Sequence, residues 1–94
     1  MPIGRRHYIL NGKAIHSLDE FYNEISGQLS LPAYFGRNLD ALWDVLSTEV
    51  EGPAEIVWQD AQTSRQAMGE DFEKVVKVLK EVEGSREDLK VIIK

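Results

Sequence analysis

The sequence contains no cysteine and no long apolar segment. Without thiols, disulfides and thiolate metal sites are excluded, and the chain suits a reducing compartment. No stretch approaches the run of about 18 apolar residues that a membrane helix needs. Two arginines near the start precede no apolar signal-peptide segment. We therefore expect a cytoplasmic protein without membrane association.

Basic residues are also few. Eleven Lys and Arg stand against sixteen Asp and Glu, which gives a net charge of −5. An acidic surface repels phosphate backbones and attracts basic partners, so nucleic acid is not an expected direct ligand. The 94 residues are enough for one modest core. We expect a single domain spanning 1–94.

The apolar pattern predicts alternating strands and helices. Strands are predicted at 7–12, 54–59 and 89–94, and helices at 17–29, 38–50 and 72–82, while 60–69 is ambiguous between a short helix and a turn. Ser17 and Glu20 have the spacing of a capping box, and Asn38 is a candidate cap for the second helix. This order predicts an α/β fold with a small parallel sheet. The last strand is nearly all apolar, which predicts cover on both faces.

The second predicted helix carries two aspartates one turn apart. At roughly 100° per residue, its leucines and Val50 form a core stripe, Asp40 and Asp44 lie off it, and Trp43 lies at its border. The helix dipole accounts for Asp40 in the first turn. It does not account for Asp44, which lies beyond the first turn of the helix and whose charge slightly repels that of Asp40. This costly arrangement suggests a function.

Three functions are compatible with the carboxylate pair. General acid–base chemistry requires a cleft and a tuned pair of pKa values. Binding of a hard cation requires more than two oxygen ligands. Binding to cationic side chains of a partner protein requires only an exposed acidic face, with Trp43 and Tyr34 as aromatic contacts. The residues alone leave the choice open, although the acidic composition favours the partner protein. No cofactor, metal site or catalytic residue is predicted.

Three segments carry a family resemblance. "ILNG", "LPAYFGRNLDALWDVL" and the final "KVIIK" resemble the barstar family, intracellular protein inhibitors of small secreted bacterial ribonucleases. The resemblance implies a three-stranded parallel sheet with about four helices packed against it. It also implies a non-enzymatic protein, monomeric when free, that binds one small basic ribonuclease and blocks its active site with the second helix and the preceding loop. Asp44 would take the place of substrate phosphate. The partner-binding residues that the resemblance implies are Tyr34, Asn38, Asp40, Trp43, Asp44, Thr48 and Glu81.

The sequence departs from the family pattern at two positions. Glu49 stands where the family commonly has an aromatic residue, and Arg37 adds a positive charge to a surface expected to be negative. These departures motivate an alternative hypothesis, an immunity or adaptor protein for a different basic toxin or nuclease.

A few other residues have simpler interpretations. Trp58 is predicted to lie in the core. The lysines of the last helix, Lys74, Lys77 and Lys80, are predicted to be solvated, with Glu70 and Glu73 as ion-pair partners. The Gly52–Pro53 bond is a candidate cis peptide, and the sequence does not determine its isomer.

Overall fold

A computed structural model describes residues 6–94. Strand β1 spans Arg6–Asn11, a short 3-10 turn spans Gly12–Ala14, and helices α1 and α2 span Leu18–Leu29 and Leu39–Thr48. Strand β2 spans Ala54–Gln59, helices α3 and α4 span Ala61–Met68 and Glu70–Ser85, and strand β3 spans Leu89–Ile93. The ambiguous segment is therefore a helix, and α2 ends two residues before the predicted Val50. The Gly52–Pro53 peptide is cis.

The three strands form one parallel sheet in the order β1-β2-β3. The predicted α/β class and the parallel sheet with four helices are confirmed. Right-handed crossovers that advance in one direction place both helical connections on the same face of a sheet. Burial alternates accordingly: Leu10, Ile56 and Val91 are buried, whereas Ile9 and Ile92 remain 37% and 38% exposed.

The prediction that β3 is covered on both faces is wrong. Ile92 and Lys90 lie on the open face of the sheet, and only the alternate positions Leu89 and Val91 are buried. Ile92 is aligned with Val57 and, through it, with Ile9, so the apolar residues of the open face shield one another across the strands. The apolar segment at 89–94 therefore does not indicate that both faces of β3 are covered by other elements.

Trp58 lies in the core, as predicted. Its indole stacks on Phe21 with 5.1 Å between ring centroids and lies 5.0 Å from Phe72. Its Nε1 donates to Ser64 Oγ at 3.1 Å, and Ser64 Oγ donates to the Gly12 carbonyl at 2.8 Å. The polar edge of this large ring is thus satisfied inside the core. A Cβ at Gly12 would collide with the backbone carbonyls of Gln59 and Asp60, so this position requires glycine.

The capping predictions are confirmed in outline. Ser17 Oγ accepts the Glu20 amide at 3.1 Å, and Asn38 Oδ1 accepts the Ala41 amide at 2.8 Å. The reciprocal half of the first cap differs from the usual box, because Glu20 Oε1 accepts the amide of His16 rather than that of Ser17. Both caps fix where their helices begin.

Candidate functional site

Helix α2 presents one face to the core and another to solvent. Its buried stripe consists of Leu42, Val45 and Leu46, of which Leu42 and Leu46 are fully buried. Asp40 and Asp44 are exposed, and Trp43 is 39% exposed at the border between the two faces. The predicted phase is confirmed for the stripe at Leu42 and Leu46, whereas Leu39 is only half-buried and Val45, outside the predicted stripe, is buried.

We call the exposed side of α2 and its preceding loop the contact surface, defined by Tyr34, Asp40, Trp43, Asp44 and Thr48. All five side chains are exposed. Thr48 Oγ1 donates to the carbonyl oxygen of Asp44 at 2.7 Å, so its hydroxyl is engaged within the helix. This surface brings together two carboxylates and two aromatic rings on a short, well-anchored element.

Two further predicted partner-binding residues are placed differently. The amide of Asn38 is used for capping: its Oδ1 holds the Ala41 amide, and its Nδ2 donates to the Gly36 carbonyl at 3.3 Å. Asn38 therefore positions the loop and helix, although its side chain is exposed. Glu81 is exposed on α4, a different helix that packs against α2.

Glu49 also belongs to this surface, through a hydrogen bond with Tyr34 that the spacing of the two residues in the sequence did not predict. The Tyr34 hydroxyl donates to Glu49 Oε1 at 2.9 Å, although 76% of Tyr34 is exposed. The hydrogen bond to Glu49 raises the pKa of Tyr34, and the nearby Asp44 carboxylate also raises it. The two residues are linked only through the folding of the loop onto the end of α2, and no helical or strand period relates them.

A small cleft of about 100 Å³ lies between the loop and α2. Its walls are formed by Tyr34, Phe35, Gly36, Ala41, Asp44, Val45 and Glu49. Small-molecule sites usually enclose roughly 300–1,000 Å³. The cleft has room for part of one side chain, which suits a protein contact better than a substrate.

The positive charge of Arg37 is paired with Asp19. Its Nη2 lies 2.6 Å from Asp19 Oδ1 and 3.1 Å from the Asp19 carbonyl oxygen. Its guanidinium carbon also lies 5.7 Å from the centroid of the Tyr22 ring. Arg37 has a left-handed backbone with φ of 51°, which turns its side chain toward α1. The charge is thus balanced by an aspartate that sequence proximity did not identify.

Residues 6–94 show neither a metal-binding cluster nor a membrane-spanning helix. Among residues 6–94, no three His, Cys, Asp or Glu side chains are grouped closely enough to hold a metal ion. In the same range, no helix is both long and apolar enough to cross a membrane. The contact surface is the feature of the structure that calls for a functional explanation.

The fold and this surface define a class: a small α/β protein with a rigid acidic and aromatic contact surface on one helix. A family model described as barstar (barnase inhibitor) matches residues 5–94. The chain is also similar to a Bacillus subtilis (strain 168) protein named "Putative ribonuclease inhibitor YrdF", with 32% identity over 89 residues that cover 94% of this chain and 98% of that protein. The chain belongs to the barstar family.

Proposed function

We propose that this protein inhibits a small basic ribonuclease by laying α2 and its preceding loop over the active site of the enzyme. The observation that carries the proposal is the pair of exposed carboxylates, Asp40 and Asp44, beside the exposed rings of Trp43 and Tyr34. Family membership and the name of the Bacillus subtilis relative support ribonuclease inhibition as the general activity.

Asp44 is the central residue of the proposed mechanism. An enzyme that cleaves RNA must hold phosphate, and it does so with cationic side chains and other hydrogen-bond donors. A carboxylate placed among these groups forms charge-assisted hydrogen bonds in the position of the phosphate. Asp40, one turn away, extends the negative charge, and the aromatic rings of Tyr34 and Trp43 provide the large contact area typical of binding hot spots.

The rigidity of α2 supports this mechanism. The fully buried side chains of Leu42 and Leu46 fix the rotation of the helix, and the Asn38 cap fixes its first turn. A surface that is already ordered loses less conformational entropy on binding. The inhibitor therefore needs no rearrangement of α2 to occlude the enzyme.

The remaining parts of the proposal follow from charge and chemistry. A net charge of −5 favours a basic protein over RNA as the ligand. We place the protein in the cytoplasm, as a monomer that binds one nuclease molecule. We assign it no catalytic activity of its own, because Asp40 and Asp44 are exposed and the cleft beside Asp44 encloses only about 100 Å³, less than a substrate site usually does.

An inhibition titration tests the proposal. Increasing amounts of the protein are added to a fixed amount of a small basic ribonuclease, and cleavage of a fluorogenic RNA is followed. We expect inhibition to end near one inhibitor per enzyme, and Asp44→Ala to weaken binding by at least about 2 kcal/mol, the level of a hot spot. The matched control is Glu73→Ala, which removes an exposed carboxylate from α4 and should inhibit like the unaltered protein.

Two results would contradict the mechanism. Protection that persists with Asp44→Ala, or that requires a large excess of inhibitor, would indicate a nonspecific charge effect. An unaltered circular dichroism spectrum would exclude misfolding of the variant.

A second candidate function is favoured by Glu49. This carboxylate lies at the end of α2, bonded to Tyr34, where the family resemblance leads one to expect an aromatic residue. Its charge suits a partner with an additional cation at that point, such as a different basic toxin or nuclease. A stoichiometric complex with such a protein, together with no inhibition of small basic ribonucleases, would establish this alternative.

A further inference from the structure

The outer edge of β3 is a potential strand-pairing surface. The Ala54 amide donates to the Asp88 carbonyl, and the Lys94 amide donates to the Trp58 carbonyl, so the even-numbered residues of this strand direct their backbone groups toward β2. Successive residues of a strand direct their backbone groups to opposite sides. Leu89, Val91 and Ile93 therefore direct theirs away from the sheet, and such an edge is a template for another strand.

Two side chains from α4 occupy the centre of this edge. Glu83 Oε2 accepts the Val91 amide at 2.6 Å, and Lys80 Nζ donates to the Val91 carbonyl oxygen at 3.2 Å. Lys80 Nζ also lies 3.6 Å from Glu83 Oε1, which holds the two side chains together. Lys80 was predicted to be simply solvated. Its side chain is half exposed, but its ammonium group binds the Val91 carbonyl oxygen and Glu83, so that prediction is wrong for the charged end of the side chain.

The opposite edge of the sheet has a similar arrangement. On β1, the Arg6 amide donates to the Pro53 carbonyl, so the odd-numbered residues of that strand direct their backbone groups outward. The outward amide of Asn11 donates to Glu24 Oε2 at 2.8 Å. At both edges of the sheet, a carboxylate from a helix therefore accepts a hydrogen bond from an outward-facing backbone amide.

We infer that Lys80 and Glu83 block the β3 edge against pairing with the same edge of a second copy of this chain. Val91 is the middle residue of the five-residue strand Leu89–Ile93. In an antiparallel pair, two opposite residues exchange both of their N–H···O bonds. A twofold axis beside Val91 would pair its amide and carbonyl with the carbonyl and amide of Val91 in the other copy. Those are the two groups that Glu83 and Lys80 occupy.

The blocking side chains are ionic and partly solvated, which suits the task. The side chains of Lys80 and Glu83 are 50% and 29% exposed, so an approaching strand would have to strip water from both as well as displace them. Charged residues at sheet edges, lysine above all, are a common defence against edge-to-edge association.

The test compares two double variants with equal charge changes. Lys80→Ala/Glu83→Ala removes the block, whereas Glu73→Ala/Lys77→Ala removes one exposed residue of each sign from the same helix. Sedimentation equilibrium over a wide concentration range should find the unaltered protein and the control monomeric. The unblocked variant should dimerise within the same range. Its dissociation constant should lie at least about tenfold below the highest concentration at which the unaltered protein is still monomeric, since each pairing strand contributes hydrogen bonds at Val91.

Hydrogen exchange of the Val91 amide locates the contact. In the unblocked variant, we expect this amide to exchange faster than in the unaltered protein at low concentration and to slow again as the dimer forms. If the double variant does not fold, Glu83→Ala and Lys80→Ala are judged separately by the same measurements. A folded, unblocked variant that remains monomeric like the control would overturn the inference, as would a dimer in which the Val91 amide still exchanges rapidly.

Discussion

Tyr34 shows how a single hydrogen bond can order an exposed aromatic ring. With 76% of its surface exposed, this side chain has little packing to hold it, and its hydroxyl donates to Glu49 instead. A phenol that donates to a carboxylate resists deprotonation, because the phenolate would lose the bond and face a like charge. The orientation of the ring on the contact surface is therefore coupled to Glu49.

This coupling predicts the titration of Tyr34. The bond to Glu49 raises its pKa above the ordinary 10.0, so the contribution of the bond to stability is full below pH 10.0 and is lost as the pH rises through the higher folded-state pKa. We expect Glu49→Gln to lower the pKa of Tyr34 toward its ordinary value. Ultraviolet difference titration measures it, with Tyr34→Phe subtracted to remove the other two tyrosines.

The matched control for this titration is Glu51→Gln. Glu51 is another exposed carboxylate near the end of α2, but its bond is to Arg6 Nη2 at 3.1 Å. Its neutralisation should leave the Tyr34 titration nearly unchanged. An equal effect of both substitutions would assign the raised pKa to general negative charge rather than to the hydrogen bond.

At the scale of the element, the buried face of α2 contributes to stability, and the exposed face is the proposed binding surface. We expect Leu42→Ala and Leu46→Ala each to lower the free energy of unfolding by roughly 2–5 kcal/mol, because both side chains are fully buried and each truncation leaves a cavity. Asp40→Ala and Asp44→Ala should each change it by no more than about 0.5 kcal/mol, as exposed substitutions usually do. Urea unfolding of the four variants measures the difference. Aspartate variants as unstable as the leucine variants would mean that these carboxylates have a structural role.

Periodicity predicted most elements because it depends only on local spacing. The buried stripe of α2, the core position of Trp58 and the three strands follow from patterns over a few residues. The open face of β3 could not be predicted in this way. Its exposure depends on both crossovers lying on one side of the sheet, which is a property of the whole chain path.

The candidate site was predictable only in part for the same reason. The exposed positions of Asp40, Trp43 and Asp44 follow from helical phase, whereas their assignment to a partner came from the family resemblance. Tyr34–Glu49 and Arg37–Asp19 are contacts between distant segments. Sequence showed the charges of Glu49 and Arg37 as departures from a pattern, and only the fold showed that each has an internal partner.

At the scale of the whole molecule, we expect the net charge to influence how fast the proposed basic partner associates. The chain carries a net charge of −5, and Asp40 and Asp44 are exposed on α2 together. Complementary charges steer diffusing proteins and act mainly on the association rate constant. Salt weakens this steering, since the Debye length falls to about 8 Å at physiological ionic strength.

For the proposed complex with a basic ribonuclease, we therefore expect the association rate constant to fall by at least about tenfold between low and high salt, while the dissociation rate constant changes much less. Stopped-flow mixing at a series of ionic strengths measures both. Asp40→Asn/Asp44→Asn should flatten the salt dependence, because it removes the charges nearest the partner and keeps the side-chain shapes. Glu70→Gln/Glu73→Gln, with the same change in net charge on α4, should flatten it less. Equal slopes for the two variants would mean that net charge alone steers the encounter, and a flat response of the unaltered protein would mean that the contact is mainly apolar.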